Sequence, residues 1–141
     1  MSSDHDFRRL LIAHRVSYTK QRYAVFSVLK GNEPLDVATL VSRLRHLMDR
    51  ASVYRTIRLF EQIGLVQRIY NGWKYRLELS DMFQTHHHHM TCLRCGTIYS
   101  VHNEPTIERA IQQIASNELF ILTGHTLELQ GYCHSCHTSS V

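Results

Sequence analysis

Ala51-Ser-Val-Tyr-Arg-Thr-Ile-Arg-Leu-Phe-Glu-Gln-Ile-Gly-Leu-Val-Gln-Arg-Ile-Tyr-Asn-Gly-Trp-Lys-Tyr-Arg-Leu-Glu-Leu79 is the stretch on which the fold turns. Up to Ile63 the apolar residues Val53, Ile57 and Phe60 recur at helical spacing, while Tyr54, Arg55, Arg58 and Gln62 fall on the other side. Gly64 supplies a helix stop. Two strand-like runs follow, Leu65 to Tyr70 and Trp73 to Leu79, and Asn71-Gly72 between them is a strong hairpin signal. A helix with one apolar face and one basic, aromatic face therefore leads directly into a hairpin.

Upstream, the chain reads as further helices at short spacing. The first covers Phe7 to His14. The second takes Thr19 as N-cap, carries Tyr23, Val25, Phe26 and Leu29, and stops at Gly31. Asp36 caps a third, whose Val37, Leu40, Val41, Leu44 and Leu47 form a buried stripe. Helices followed by a hairpin is the order of a winged helix-turn-helix, in which the last helix enters the major groove and the wing meets phosphate. Charge agrees with this. Of 16 lysines and arginines, only Arg94 and Arg109 lie beyond Arg76, so the basic half is the helical half. A single arginine on such a helix is more often a solvated surface group; helix order, hairpin and charge segregation together point to DNA.

Residues 1–80 are thus expected to form the DNA-binding domain and 81–85 a polar linker. Residues 86–141 should form a small α/β unit, giving an α+β protein overall. Its predicted strands lie near His87 to Cys92, Thr97 to Val101, Phe120 to Leu122 and Thr126 to Gln130, with a helix from Pro105 to Ser116.

The second half also holds the cysteines and most of the histidines. Cys92-Leu-Arg-Cys95-Gly96 and Cys133-His-Ser-Cys136 each present two thiolates from a tight turn, and together they complete a tetrahedral sulfur site suited to structural zinc. Disulfides, or iron in the same geometry, are the other readings of this pattern. His86-His87-His88-His89 runs directly into the strand containing Cys92. In an extended chain His86 and His88 face one way and His87 and His89 the other, so one strand can serve two sites. Glu108 and His125 are the remote residues best placed to complete a site. Imidazole suits zinc, iron, nickel or copper, and a solvated histidine strip is the bland reading.

At 141 residues with 43% hydrophobic composition and a formal charge of +4, the chain can build a real core and favours a polyanionic partner. Its apolar runs are too short to span a membrane and its acidic start does not read as a signal peptide, so a cytoplasmic protein is expected. A zinc enzyme is a rival class, but no His-Glu-x-x-His helix is present. A zinc-ribbon interaction module without a sensing role is another, and metal-independent binding with no preference for palindromic duplex would mark it.

The motifs assembled here resemble the ferric uptake regulator family, the Fur, Zur and PerR-type repressors. The matching stretches are Thr19-Lys-Gln-Arg22, Ala51 to Val66, His86 to Gly96 and His125 to Cys136, so the resemblance spans nearly the whole chain. It implies a homodimer whose regulatory metal, zinc or ferrous iron, draws two winged helices onto a palindromic operator, usually repressing metal uptake. It implies that Tyr54 and Arg55 lie on the recognition helix; by their chemistry these two are the expected base contacts, with Lys20, Arg22, Arg58, Arg68 and Lys74 on phosphate. Cys92, Cys95, Cys133 and Cys136 match the structural zinc set; His86, His88, Glu108 and His125 match a second set in the dimerisation domain.

The hinge set matches at His87 and His89. Pro34 stands where many relatives carry histidine, and the carboxylate from the strand after the wing falls on Arg76 or Glu78, of which only Glu78 can ligate. Asp36, Glu61 and Asp81 are the alternative carboxylates. Four successive histidines and Tyr75-Arg76-Leu77 look more like the zinc-sensing branch than the iron or peroxide branches.

Overall fold

A computed structural model describes residues 3–31, 33–102 and 104–139, which form two compact units, Met1–Thr85 and His86–Val141. The first unit opens with α1 (Ser3–Ala13), α2 (Lys20–Leu29), α3 (Val37–Leu44) and α4 (Arg50–Gln62). Thr19 and Asp36 cap α2 and α3, accepting from the backbone N–H groups of Arg22 and Thr39. α4 begins one residue earlier than its apolar pattern suggests, because Asp49 accepts from the Ser52 N–H at 2.7 Å.

Phe7, Phe26 and Phe60 meet at the centre. Phe7 stacks on Phe26 at 4.4 Å between centroids and meets Phe60 edge-on at 5.9 Å. Val25, Leu40, Leu44, Val53, Ile57, Leu65 and Leu77 close around them. Of the stripes read from α3 and α4, Val37, Leu40, Leu44, Val53, Ile57 and Phe60 are core and Val41 packs against it, whereas Leu47 lies past the end of α3 and is 55% exposed. Burial of about 1.5 to 3 kcal/mol per core side chain makes this cluster the main support of the unit.

The hairpin is β1 (Val66–Asn71) paired antiparallel with β2 (Lys74–Leu79). Its ladder closes at Asn71↔Lys74, so the turn residues are Gly72 and Trp73 rather than Asn71 and Gly72. Only Gly72 has positive φ, at 62°, which fits a two-residue turn with glycine in first position. Leu35, just before α3, bridges Leu77 through two backbone hydrogen bonds of 2.9 and 2.7 Å, adding a third backbone segment alongside β2.

In the second unit β3 (His87–Cys92) lies between β4 (Ile98–His102), to which it is antiparallel, and β5 (Glu128–Gly131), to which it is parallel. α5 (Pro105–Asn117) and α6 (His134–Thr138) complete it. The strand expected at Phe120 to Leu122 is not formed in the single chain, and the last strand begins at Glu128 rather than Thr126. Among the described residues, the buried hydrophobic ones of this unit are Cys92 and Ala115.

Candidate metal centres and nucleic-acid interface

Cys92 ends β3, and a tight turn returns the chain to Cys95. The Gly96 N–H bonds the Cys92 carbonyl at 2.9 Å, and Gly96 itself takes the left-handed φ of 73° that glycine permits. Cys133 caps α6 and Cys136 lies within it. The Cys133 N–H donates to the Cys92 sulfur at 3.4 Å, the Arg94 guanidinium donates to the Cys136 carbonyl at 2.6 Å, and the Leu93 N–H donates to the Gly131 carbonyl at 2.8 Å. All four sulfurs lie within 4.8 Å of one another. The four cysteines are not joined in disulfides, with the Cys95 and Cys133 sulfurs at 3.9 Å, far beyond a disulfide bond. Zinc–sulfur bonds of about 2.3 Å in a tetrahedron place sulfurs roughly 3.8 Å apart, so the cluster fits such an ion.

Electrostatics agree with the geometry. Backbone N–H groups of Cys133 and Cys95 lower the Cys92 thiol to about 6, whereas the neighbouring Cys133 sulfur and burial push Cys136 up to about 12. Four thiolates this close can all be ionised only around a cation.

His86 precedes β3, His88 lies in it, Glu108 sits in the first turn of α5 and His125 in the segment before β5. Three Nε2 atoms converge on one carboxylate oxygen, Glu108 Oε1, at 2.8 Å from His88, 3.3 Å from His86 and 3.4 Å from His125. His86 and His125 Nε2 are 3.2 Å apart. A tetrahedral zinc with ligand bonds of about 2.0 to 2.1 Å has edges of about 3.3 to 3.4 Å, which these separations approach. Burial of Glu108 opposes ionisation, but its hydrogen bond with His88 and the three imidazoles outweigh that, and its carboxyl titrates below the usual range.

On the other face of β3, His87 and His89 stand with ring centroids 4.7 Å apart. Glu78 belongs to the first unit, where it is buried on β2 and accepts a 2.7 Å hydrogen bond from the Gln67 amide. Two of the alternative carboxylates are otherwise engaged: Asp36 caps α3, and Glu61 pairs with Arg68. Arg76 donates to the Pro34 carbonyl at 3.4 Å, so these two departures from the family pattern contact each other.

α4 buries Val53, Ile57 and Phe60 and leaves Tyr54, Arg55 and Arg58 exposed. Arg55 is tethered locally, donating to Ser52 Oγ at 2.9 Å. Sequence reading missed Arg50, which lies over the Tyr54 ring at 5.5 Å; the Asp49-x-x-Ser52 cap was the signal that placed it on the helix. A cleft of about 320 Å³ between α2 and α4 is lined by Thr19, Gln21, Arg22, Ser52, Arg55 and Thr56, and Lys20 is exposed nearby at the start of α2. Arg68, expected on phosphate, is exposed and pairs with Glu61 beside the Tyr75 ring. The exposed Arg50 joins Arg55 and Arg58 in making this helix face cationic.

The family model described as the ferric uptake regulator family matches residues 14–130. The ferric uptake regulation protein of Campylobacter upsaliensis is 34% identical over 140 residues, covering 93% of this chain and 86% of that protein. Among solved structures, the Vibrio cholerae ferric uptake regulator is 30% identical with a TM-score of 0.72, covering 89% of this chain and 98% of that one. The Helicobacter pylori regulator shares the fold at a TM-score of 0.82 and 23% identity, covering 100% and 97% of the two chains.

Proposed function

This chain belongs to the ferric uptake regulator family, whose members are metal-responsive, dimeric DNA-binding transcriptional regulators and not enzymes, and we propose that it acts in the cytoplasm as a repressor of metal-uptake genes on palindromic operators. The observation that carries the sensing half of this reading is the convergence of His86, His88 and His125 on Glu108 in a chain that also holds a separate four-thiol cluster. The four cysteines leave no open position and take the structural zinc. His86, His88, Glu108 and His125 hold the second ion. Glu78, His87 and His89 are assigned to the hinge set on chemistry alone, as a carboxylate from one unit and two imidazoles from the other.

Nitrogen-rich donor sets favour zinc as the regulatory ion, with ferrous iron the competing outcome of the test. A bound cation supplies charge that lets these donors share one centre. It promotes DNA binding only to the extent that the donors are better arranged in the DNA-competent form than in the open one. Tyr54 and Arg55 reach bases while Lys20, Arg22 and Arg58 hold phosphate. Selection of bound sequences from random duplexes, with and without zinc or ferrous iron, tests the whole reading. Metal-dependent enrichment of a palindrome is expected; enrichment that ignores metal would overturn sensing.

The wing has its own reporter. Trp73 is the single tryptophan and is 87% exposed at the hairpin tip. Its emission should change on adding operator to metal-loaded protein, and unchanged emission at saturating duplex would remove the wing tip from the interface.

Dimerisation is assigned to the segment after α5. Leu119, Phe120 and Ile121 are 93, 65 and 86% exposed, and residues 120–127 form no strand in the single chain although their sequence favours one. A second copy supplies both the pairing partner and the apolar cover. Ile121→Asp should give a monomer by sedimentation and lower operator affinity by roughly 100-fold or more, because two half-sites are then no longer linked. A dimeric variant would move the interface elsewhere.

A further inference from the structure

β4 ends in a histidine that none of the assignments above uses. In the antiparallel ladder His102 lies directly opposite His87, and Ser100 directly opposite His89. Residues directly opposite one another project from the same face of a sheet, and positions two apart along a strand share that face. His87, His89 and His102 therefore occupy one face of the β3/β4 pair, while His86 and His88 belong to the other. We propose that His102 is a third imidazole ligand of the hinge set, so that β3 and β4 together hold a borderline divalent cation through His87, His89 and His102.

The register sets the distances. Directly opposite Cβ atoms are about 4.5 to 5.5 Å apart, comfortably spanned by two imidazoles whose ligating nitrogens need to approach to about 3.3 Å around one ion. His87 and His89 already stand with rings 4.7 Å apart. His102 is exposed, and an exposed side chain changes rotamer in picoseconds to nanoseconds, so turning its ring toward His87 is a local motion. Three nitrogen donors suit zinc and cobalt(II) better than a hard cation, and they leave a fourth position for a further donor, as an exchangeable site requires. Two strands of one unit then supply most of the ligand set.

This inference rests on the reading of His87 and His89 as ligands, and the test separates the two. Full-length dimer with zinc retained at its four cysteines is titrated with cobalt(II) chloride, followed by visible absorption and by competition with a chelator. Loss of a supporting group around a metal ligand typically weakens binding 10- to 100-fold, so His102→Ala should weaken the affected cobalt site by at least about 10-fold, as His87→Ala does, while the His86 set still fills. His102→Cys should restore binding and add an intense near-ultraviolet thiolate-to-cobalt band, which a merely structural role for position 102 would not produce. If His87→Ala loses the site but His102→Ala does not, and His102→Cys adds no band, His102 is not a ligand and the hinge reading stands. If neither alanine variant changes cobalt binding, the hinge reading fails and this inference falls with it.

Discussion

Cys133→Ser should unfold the second unit while leaving the first intact. The buried hydrophobic cluster runs from Phe7 to Leu79 and lies wholly in the first unit, whereas among the described residues the second buries Cys92 and Ala115 as apolar ones, with His88, His89 and Thr91 as buried polar ones. A unit of this size without a hydrophobic core depends on metal and on its partner copy. Structural zinc in small domains contributes an apparent ~10 to 16 kcal/mol, which is folding free energy because the unfolded chain has no preformed site. Serine at 133 removes one of the four thiolates, the one 3.9 Å from the Cys95 sulfur, while its backbone N–H can still donate to the Cys92 sulfur, so the loss is that of a metal ligand.

Native-state hydrogen exchange should therefore show amides of β3, β4 and β5 exchanging at near-unfolded rates in the variant, with one zinc per chain lost, while amides of α2 and α4 keep their protection. A variant that retains both its β3 protection and its zinc would show that three thiolates suffice. Acid should act in the same direction. Binding a metal requires all four thiolates, and with the Cys136 thiol pushed up to about 12 protons already compete for the cluster at neutral pH; the competition deepens as pH falls and the Cys92 thiolate, lowered to about 6, is lost as well.

Much of this arrangement was legible in the chain because the signals were local. Thr19 and Asp36 announce helix starts, the stripes of α3 and α4 give their buried faces, and alternation along an extended chain separates His86 and His88 from His87 and His89. What escaped sequence reading depends on distant partners. The Leu35–Leu77 bridge joins segments about forty residues apart and has no local signature. The turn sits one residue later than Asn71-Gly72 implied, because ladder closure at Lys74 outweighs the dipeptide preference. Phe120 to Leu122 has strand chemistry but no strand, since within one chain nothing pairs with it. Glu61 reads as a possible ligand until its partner, Arg68, is seen. Conversely, Glu108 was reachable: Pro105 fixes the start of α5, and a carboxylate three residues on falls in its first turn.

Arg55→Ala should produce the largest loss of sequence-specific DNA binding of any single exposed substitution on α4. Arg55 is exposed, tethered by a hydrogen bond to Ser52, and flanked on the same helix by Tyr54 and Arg58, while the residues behind it are core. An arginine bidentate to guanine contributes about 1 to 3 kcal/mol of discrimination, and a dimer on a palindrome makes that contact twice, so the loss on operator should be about 2 to 6 kcal/mol, roughly 30-fold to 10⁴-fold. Arg55→Lys keeps the charge but not the planar fork and should recover phosphate attraction without recovering selectivity. Lys20→Ala provides the contrast: as a phosphate contact it should weaken operator and scrambled duplex alike and reduce the salt dependence by about one charge per copy. Measuring both variants on both duplexes across a salt series separates the roles. If Arg55→Ala instead weakens the two duplexes equally and flattens the salt slope, Arg55 holds backbone phosphate, and base recognition passes to Tyr54 and its neighbour Arg50.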